Sequence, residues 1–255
     1  MSESPALEIK GLCKSFGSLE VSRNVSLALE RGARSALIGP NGAGKTTLVN
    51  LMTGVAKPSR GSVSIGGEDV TGLSQAGRVK KGLARTFQIN NLFREMTVLE
   101  NVYLAASEQA GVAGDPWRPA ARHRGVFEDV IDALEMLRLT DEANTVVRHL
   151  PYGKQRLVEI AIALSLKPKI LLLDEPAAGV PSVEVEWLLD VFMGLPKDLS
   201  ILIIEHDMDI VFKFARKIFV LVQGAMLMSG TPDEIAASDE VQAVYLGRSL
   251  EGRER

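Results

Sequence analysis

The chain has 255 residues, 46% of them hydrophobic and 5% aromatic, with a formal net charge of -3. That length and apolar share predict one domain, or one domain with a lobe, around a sizeable core. The slightly acidic balance and scarce aromatics argue against a basic, base-stacking nucleic-acid surface, and no nucleic-acid partner is expected.

The opening stretch, Met1 to Lys10, carries Glu3 and Glu8 and no apolar run, which predicts no secretory signal. Leu7, Ile9 and the segment Val21–Leu29 alternate apolar with polar side chains and read as strands, broken at Gly17-Ser18 and Arg31-Gly32. The single cysteine, Cys13, lies in this alternation and reads as a small core side chain. Ser35–Ile38 is a short apolar run that ends in a glycine-rich turn and is followed by helical spacing over Thr46–Met52. Ser62–Ile65 with Gly66-Gly67 predicts another strand and turn.

From Val98 to Leu139 the spacing is helical, with Val130, Leu134 and Leu137 on one face. The intervening Gly111–Gly125 carries Pro116, Pro119, Arg118, Arg122 and Arg124 and reads as an exposed loop. A contact of those arginines with membrane headgroups or a partner is the alternative. Leu157–Leu166 predicts an apolar helix, and Ile170–Leu173 and Ile201–Ile204 predict strands covered on both faces. The longest apolar runs fall far short of the ~20 residues a spanning helix needs, so a soluble, cytoplasmic chain is expected. Two αβ segments flanking a helical stretch predict a mostly parallel sheet with an inserted helical lobe.

Gly39-Pro40-Asn41-Gly42-Ala43-Gly44-Lys45-Thr46, with Thr47 next, fits a phosphate-binding loop between a strand and a helix. Polyanionic phosphates need donors in place of water. Glycines let successive backbone N–H groups turn inward, and the opening of a helix adds its positive end. Lys45 supplies a point charge to the terminal phosphates and the Thr46 hydroxyl a ligand for Mg²⁺. An idle glycine-rich turn is the rival reading.

Asp174-Glu175 closes the apolar run Ile170–Leu173, and ligands of open α/β sheets gather at such carboxyl ends. Asp174 is expected to hold Mg²⁺ and Glu175 to orient or deprotonate the attacking water. His206 follows the run Ile201–Ile204 in the same way and is expected to sense the γ-phosphate. Gln88, closing Arg85-Thr86-Phe87-Gln88, is placed to touch the metal or the lytic water and to feel the lobe move. His123 and His149 receive no role.

Together with Leu150-Pro151-Tyr152-Gly153-Lys154-Gln155-Arg156, these elements resemble the ABC ATPase family across nearly the whole chain. The resemblance implies a P-loop NTPase (RecA-like) α/β core, mostly parallel, with an N-terminal antiparallel β-subdomain and an inserted helical subdomain. It places 1–88 and 162–255 in the nucleotide-binding core with its β-subdomain, and 89–161 in the helical subdomain with the signature segment, all within one domain, 1–255. It implies ATP and Mg²⁺ as cofactors, with Thr46, Gln88 and Asp174 toward the metal. Glu175, His206, Lys45 and Gln88 take the catalytic roles, with Gln88 the Q-loop glutamine and His206 the switch histidine. Phe16 is the aromatic that stacks on adenine, with plain core packing as its alternative.

The family arrangement is a head-to-tail dimer in which each ATP faces the opposite chain's Tyr152, Gly153, Lys154 and Gln155. Gly82 to Gln88, Leu92 to Val98, Asp174 to Gly179 and the ending Tyr245-Leu246-Gly247 resemble the branched-chain amino acid importer subfamily. This implies transmembrane permease subunits, a second ATPase subunit (identical or different) and, indirectly, a periplasmic solute-binding protein. The expected location is peripheral, on the cytoplasmic face of the inner membrane. Pro151 stands where the family has serine and Pro181 where it has aspartate, which suggests two unequal ATP sites. An exporter subunit, a soluble non-transport ABC ATPase and a P-loop kinase are the rival readings.

Overall fold

The alternation at the start of the chain produces two long strands, β1 (Leu7–Phe16) and β2 (Leu19–Leu29), paired antiparallel from Leu7↔Leu29 to Phe16↔Leu19. Leu7 and Ile9 on one strand and Val25, Leu27 and Leu29 on the other turn to the core with period two, and a register shift between Ile9 and Leu12 brings Leu12 in as well. A computed structural model describes residues 4–86, 92–112 and 124–250, the side chains of 124 and 245–250 excepted. Gln88, His123 and 113–122 of the arginine-bearing stretch therefore lie outside the described residues, as do the side chains of Tyr245, Leu246 and Gly247.

The chain divides into two compact units, 1–81 with 200–255, and 82–199. In the first, β4 (Arg60–Ile65) and β5 (Glu68–Asp69) complete an antiparallel sheet in the order β2-β1-β4-β5. The same unit holds β3 (Arg34–Ile38), flanked in parallel by β8 (Ser200–Ile204) and β9 (Lys217–Val222), with β10 (Ala225–Gly230) antiparallel to β9. Every residue of β3 and β8 is buried, which explains their continuous apolar reading. Helix α1 (Lys45–Thr53) leaves β3 through the glycine-rich turn, and α2 (Gln75–Lys80) starts at an N-cap Ser74 whose hydroxyl accepts from the Gly77 N–H. Helices α7 (Met208–Phe214), α8 (Pro232–Ala236) and α9 (Asp239–Leu250) complete the unit.

Arg78 is fully buried in this unit. Its Nη1 donates to the carbonyls of Leu51 (2.6 Å) and Met52 (2.7 Å), and its Nη2 to that of Thr71 (3.0 Å). The guanidinium thus caps the carboxyl end of α1, where orphan carbonyls and the negative end of the helix dipole favour a cation.

In the second unit, β6 (Leu83–Arg85) and β7 (Ile170–Asp174) pair in parallel, from Leu83↔Ile170 to Arg85↔Leu172. Helices α3 (Val98–Gln109), α4 (Arg124–Met136) and α5 (Tyr152–Ser165) pack on one another, and α6 (Ser182–Met193) follows β7. Val130, Leu134 and Leu137, the expected apolar face, are fully buried. Among the described residues no helix is long and apolar enough to cross a membrane.

Candidate functional site

The phosphate loop lies wholly in the first unit. Leu37 pairs with Ile204 and Ile38 with Val220, so β3, β8 and β9 end in register. Residues 39–46 after β3 and Glu205-His206 after β8 therefore leave the same edge of the sheet. Gly39, Gly42 and Gly44 adopt φ of 155°, 81° and 97°, backbone that side chains with a Cβ rarely take. A Cβ at Gly39 would stand 2.1 Å from the Leu221 carbonyl oxygen, and one at Gly44 3.0 Å from that of Val21. The loop is pressed against the turn between β9 and β10, where the Gly224 N–H donates to the Ala43 carbonyl at 2.8 Å.

Lys45 Nζ donates to the loop's own carbonyls, Gly39 at 2.6 Å and Pro40 at 3.2 Å. Asn41, Gly42 and Thr46 are exposed, while Pro40, Gly44 and Thr47 are half-buried and Ala43 is buried. The cradle fits a phosphate chain: the space beside Gly42 is open, the amino end of α1 points into the loop, and Lys45 brings the only charge on it.

Phe16, at the end of β1, is exposed, with the Lys14 ammonium 4.9 Å from its ring centroid. An exposed ring backed by a cation is open to a stacking partner on its other face. His206 is exposed, and its Nδ1 lies 3.7 Å from Oε2 of Glu205, which is buried and accepts the His206 N–H. Cys13 is buried, as expected of a core side chain.

The carboxylates lie in the second unit. Asp174 ends β7 almost fully buried, with its Oδ2 2.6 Å from Arg85 Nη2, and its N–H donates to the Thr86 hydroxyl. Glu175 follows with φ 45°, the left-handed region that a Cβ disfavours by roughly 1–2 kcal/mol. Tyr152, Gly153, Lys154 and Gln155 form the first turn of α5. There Lys154 is paired with Glu142, and Gln155 Nε2 donates to the Leu150 carbonyl at 2.8 Å. A Cβ at Gly153 would meet Glu184 Oε2 at 2.4 Å, and one at Gly179 would meet Tyr152 Cε1 at 3.1 Å. The start of α5 therefore packs on the segment that follows Glu175.

The chain matches the pattern of the ABC transporter family over residues 22–178. It is 39% identical over 252 residues to the high-affinity branched-chain amino acid transport ATP-binding protein BraF of Pseudomonas aeruginosa, covering 96% of this chain and 99% of that one. It is 38% identical, with the same coverage, to the high-affinity branched-chain amino acid transport ATP-binding protein LivG of Escherichia coli K12. A solved ATP-binding cassette of an ABC transporter, in its ADP conformation, aligns with a TM-score of 0.83 at 29% identity, covering 97% of this chain and 100% of that one.

The chain belongs to the ABC transporter family.

In this ABC ATPase the glycine-rich loop 39–46 and the pair Asp174-Glu175 sit on elements that the sequence made legible. Residues supporting the ABC site were not legible in the same way. Arg85 and Thr86 hold Asp174, Arg156 grips the main chain behind it, and Leu221 and Gly224 back the phosphate loop. The signals available were Arg85-Thr86 beside a strand end, a lone arginine in an apolar helix, and Gln223-Gly224 after an apolar run.

Proposed function

We propose that this chain is the ATP-hydrolysing subunit of an importer for branched-chain or other amino acids, or related small polar or acidic solutes. The near end-to-end match to BraF, a protein named for high-affinity branched-chain amino acid transport, carries the reading. The loop 39–47 binds the phosphates through its backbone N–H groups, and Lys45 leaves the carbonyls of Gly39 and Pro40 for the terminal phosphates. Thr46, Asp174 and Gln88 would hold Mg²⁺, which when bound supplies charge neutralisation across the terminal phosphates. Phe16 stacks on the adenine, Glu175 accepts the proton of the attacking water, and His206 contacts the γ-phosphate.

In this reading Tyr152 to Gln155 serve the ATP of a second ATPase subunit, so that hydrolysis depends on closure of the pair. Transmembrane permease subunits carry the solute, a periplasmic binding protein delivers it, and this chain sits peripherally on the cytoplasmic face.

Two measurements test the proposal. Glu175→Gln should retain ATP binding while lowering turnover by more than about 100-fold; wild-type turnover in that variant would remove Glu175 from the role. In vesicles carrying this chain with transmembrane permease subunits, ATP should drive uptake of labelled leucine or a related small polar or acidic solute. Efflux instead, or no uptake of any amino acid or related small polar or acidic solute, would sink the importer assignment.

A further inference from the structure

Arg156 lies on α5 among Leu157, Val158, Ile160 and Ala161, and is almost fully buried with them. Burying a guanidinium costs several kcal/mol unless its donors are matched. Here Nη2 donates to the main-chain oxygens of Asp174 (2.6 Å) and Glu175 (3.1 Å), and Nη1 to the Glu159 carboxylate. Glu159, one turn on, is itself buried; burial pushes its carboxyl above the ordinary value while Arg156 pulls it back down. An ion pair in this position adds little to the stability of α5, because apolar side chains of similar volume serve a helix core as well. What apolar side chains cannot do is hold two consecutive carbonyls.

Those carbonyls belong to the residues that carry the chemistry. The orientation of each carbonyl is set by the torsion beside it, so fixing both fixes the direction in which the Glu175 side chain leaves the main chain. Glu175 stands at φ 45°, a conformation kept only where the surroundings over-determine it. On the other side, Thr86 accepts the Asp174 N–H and Arg85 holds the Asp174 carboxylate. Arg156 also lies three residues beyond Gly153 on the same helix, about 4.5 Å along its axis.

We propose that Arg156 is a positioning residue for hydrolysis: it holds the main chain at Asp174 and Glu175 so that the Glu175 carboxylate is aimed. It thereby makes that aim depend on the seating of the helix that begins with Tyr152-Gly153. The proposal rests on Glu175 being the residue that activates water. A small displacement of the start of α5 is passed through one rigid side chain to the backbone of the base. The effect is on the chemical step and not on nucleotide binding, since the carbonyls that Arg156 holds are those of Asp174 and Glu175.

The test uses the full chain with its ATPase partner and compares wild type, Arg156→Gln, Arg156→Lys, Glu175→Gln and the double variant Arg156→Gln/Glu175→Gln. For each, kcat, equilibrium MgATP binding and thermal melting are measured. Arg156→Gln should lower kcat roughly 10- to 100-fold with ATP affinity within about twofold of wild type. Arg156→Lys, whose ammonium lacks the planar second nitrogen that pairs with Glu159 and so holds the two carbonyls less rigidly, should fall between. In the Glu175→Gln background, removing Arg156 should cause no further loss, because both changes disable one function.

Wild-type kcat in Arg156→Gln overturns the proposal, as does a parallel loss of binding and turnover, or additive losses in the double variant. Should Arg156→Gln fail to fold, Arg156→Lys decides: wild-type kcat there overturns the proposal, and a lower kcat at unchanged affinity supports it. Normal turnover in Glu175→Gln overturns the reading of Glu175 and this proposal with it. An inactive Glu175→Gln beside fully active Arg156 variants overturns the role of Arg156 alone.

Discussion

Glycines that look alike in the phosphate loop are held by different causes. Gly39 stands where a Cβ would come within 2.1 Å of the Leu221 backbone oxygen, a collision that only movement of the loop or of β9 relieves. Gly42 has nothing within 4 Å of that position, so its φ of 81° is the only objection to a side chain. Gly42→Ala should therefore cost about 1 kcal/mol in the isolated chain. Gly39→Ala should cost clearly more and lower the melting temperature further. Equal shifts in thermal melts of the two variants would show that Leu221 does not press on the loop. The sequence has glycine at both positions; it does not say which is required by backbone conformation and which by a neighbouring strand.

Helix α3 shows how much of an element is readable locally. Thr97-Val98-Leu99-Glu100 carries a capping box: the Thr97 hydroxyl accepts the Glu100 N–H, and Glu100 accepts the Thr97 N–H at 2.7 Å. Those bonds favour the ionised carboxylate and hold the Glu100 carboxyl below its ordinary value, despite its exposure. Since its pKa is depressed in the folded state, the stabilisation is present above the ordinary pKa of about 4.5 and is lost as pH falls through the lower folded value. Glu100→Gln should accordingly melt below wild type at pH 7, with the gap narrowing as pH falls below about 4.5. A gap that stays constant with pH would mean that the ionised bond contributes nothing.

Helix α5 is the contrasting element. Its apolar spacing predicts a buried helix, yet Pro151 at its N-cap offers no side-chain oxygen, and no side-chain bond caps the helix start. Helix α6 begins the same way, at Pro181. Proline suits helix openings because its φ is preset and no amide is lost, so both helices form without a side-chain cap.

For the whole assembly, those two prolines bear on symmetry. Neither proline carries the hydroxyl or carboxylate that the family resemblance leads one to expect at 151 and 181. We propose that it pairs with a different ATPase subunit and that the two ATP sites are unequal. Turnover of the chain alone should then be well below that of the mixed pair, and Pro151→Ser should raise it by restoring the cap and the donor. Full turnover as a pair of identical chains, unaltered by Pro151→Ser, would contradict this.

The fold class was legible because burial has a period: alternation in β1 and β2, unbroken apolar runs in β3, β7 and β8, and a 3.6-residue spacing in the helices. The glycine-rich loop and the acidic pair stood out because the chemistry proposed for them needs particular residue types at contiguous positions. Tertiary structure alone decided that Leu221 and Gly224 back the loop, that Arg85 holds Asp174, and that Arg156 grips the carbonyls of Asp174 and Glu175. These contacts join residues distant in sequence, or use main-chain atoms that every residue possesses. No pattern of side-chain types along the chain distinguishes them until the chain has folded.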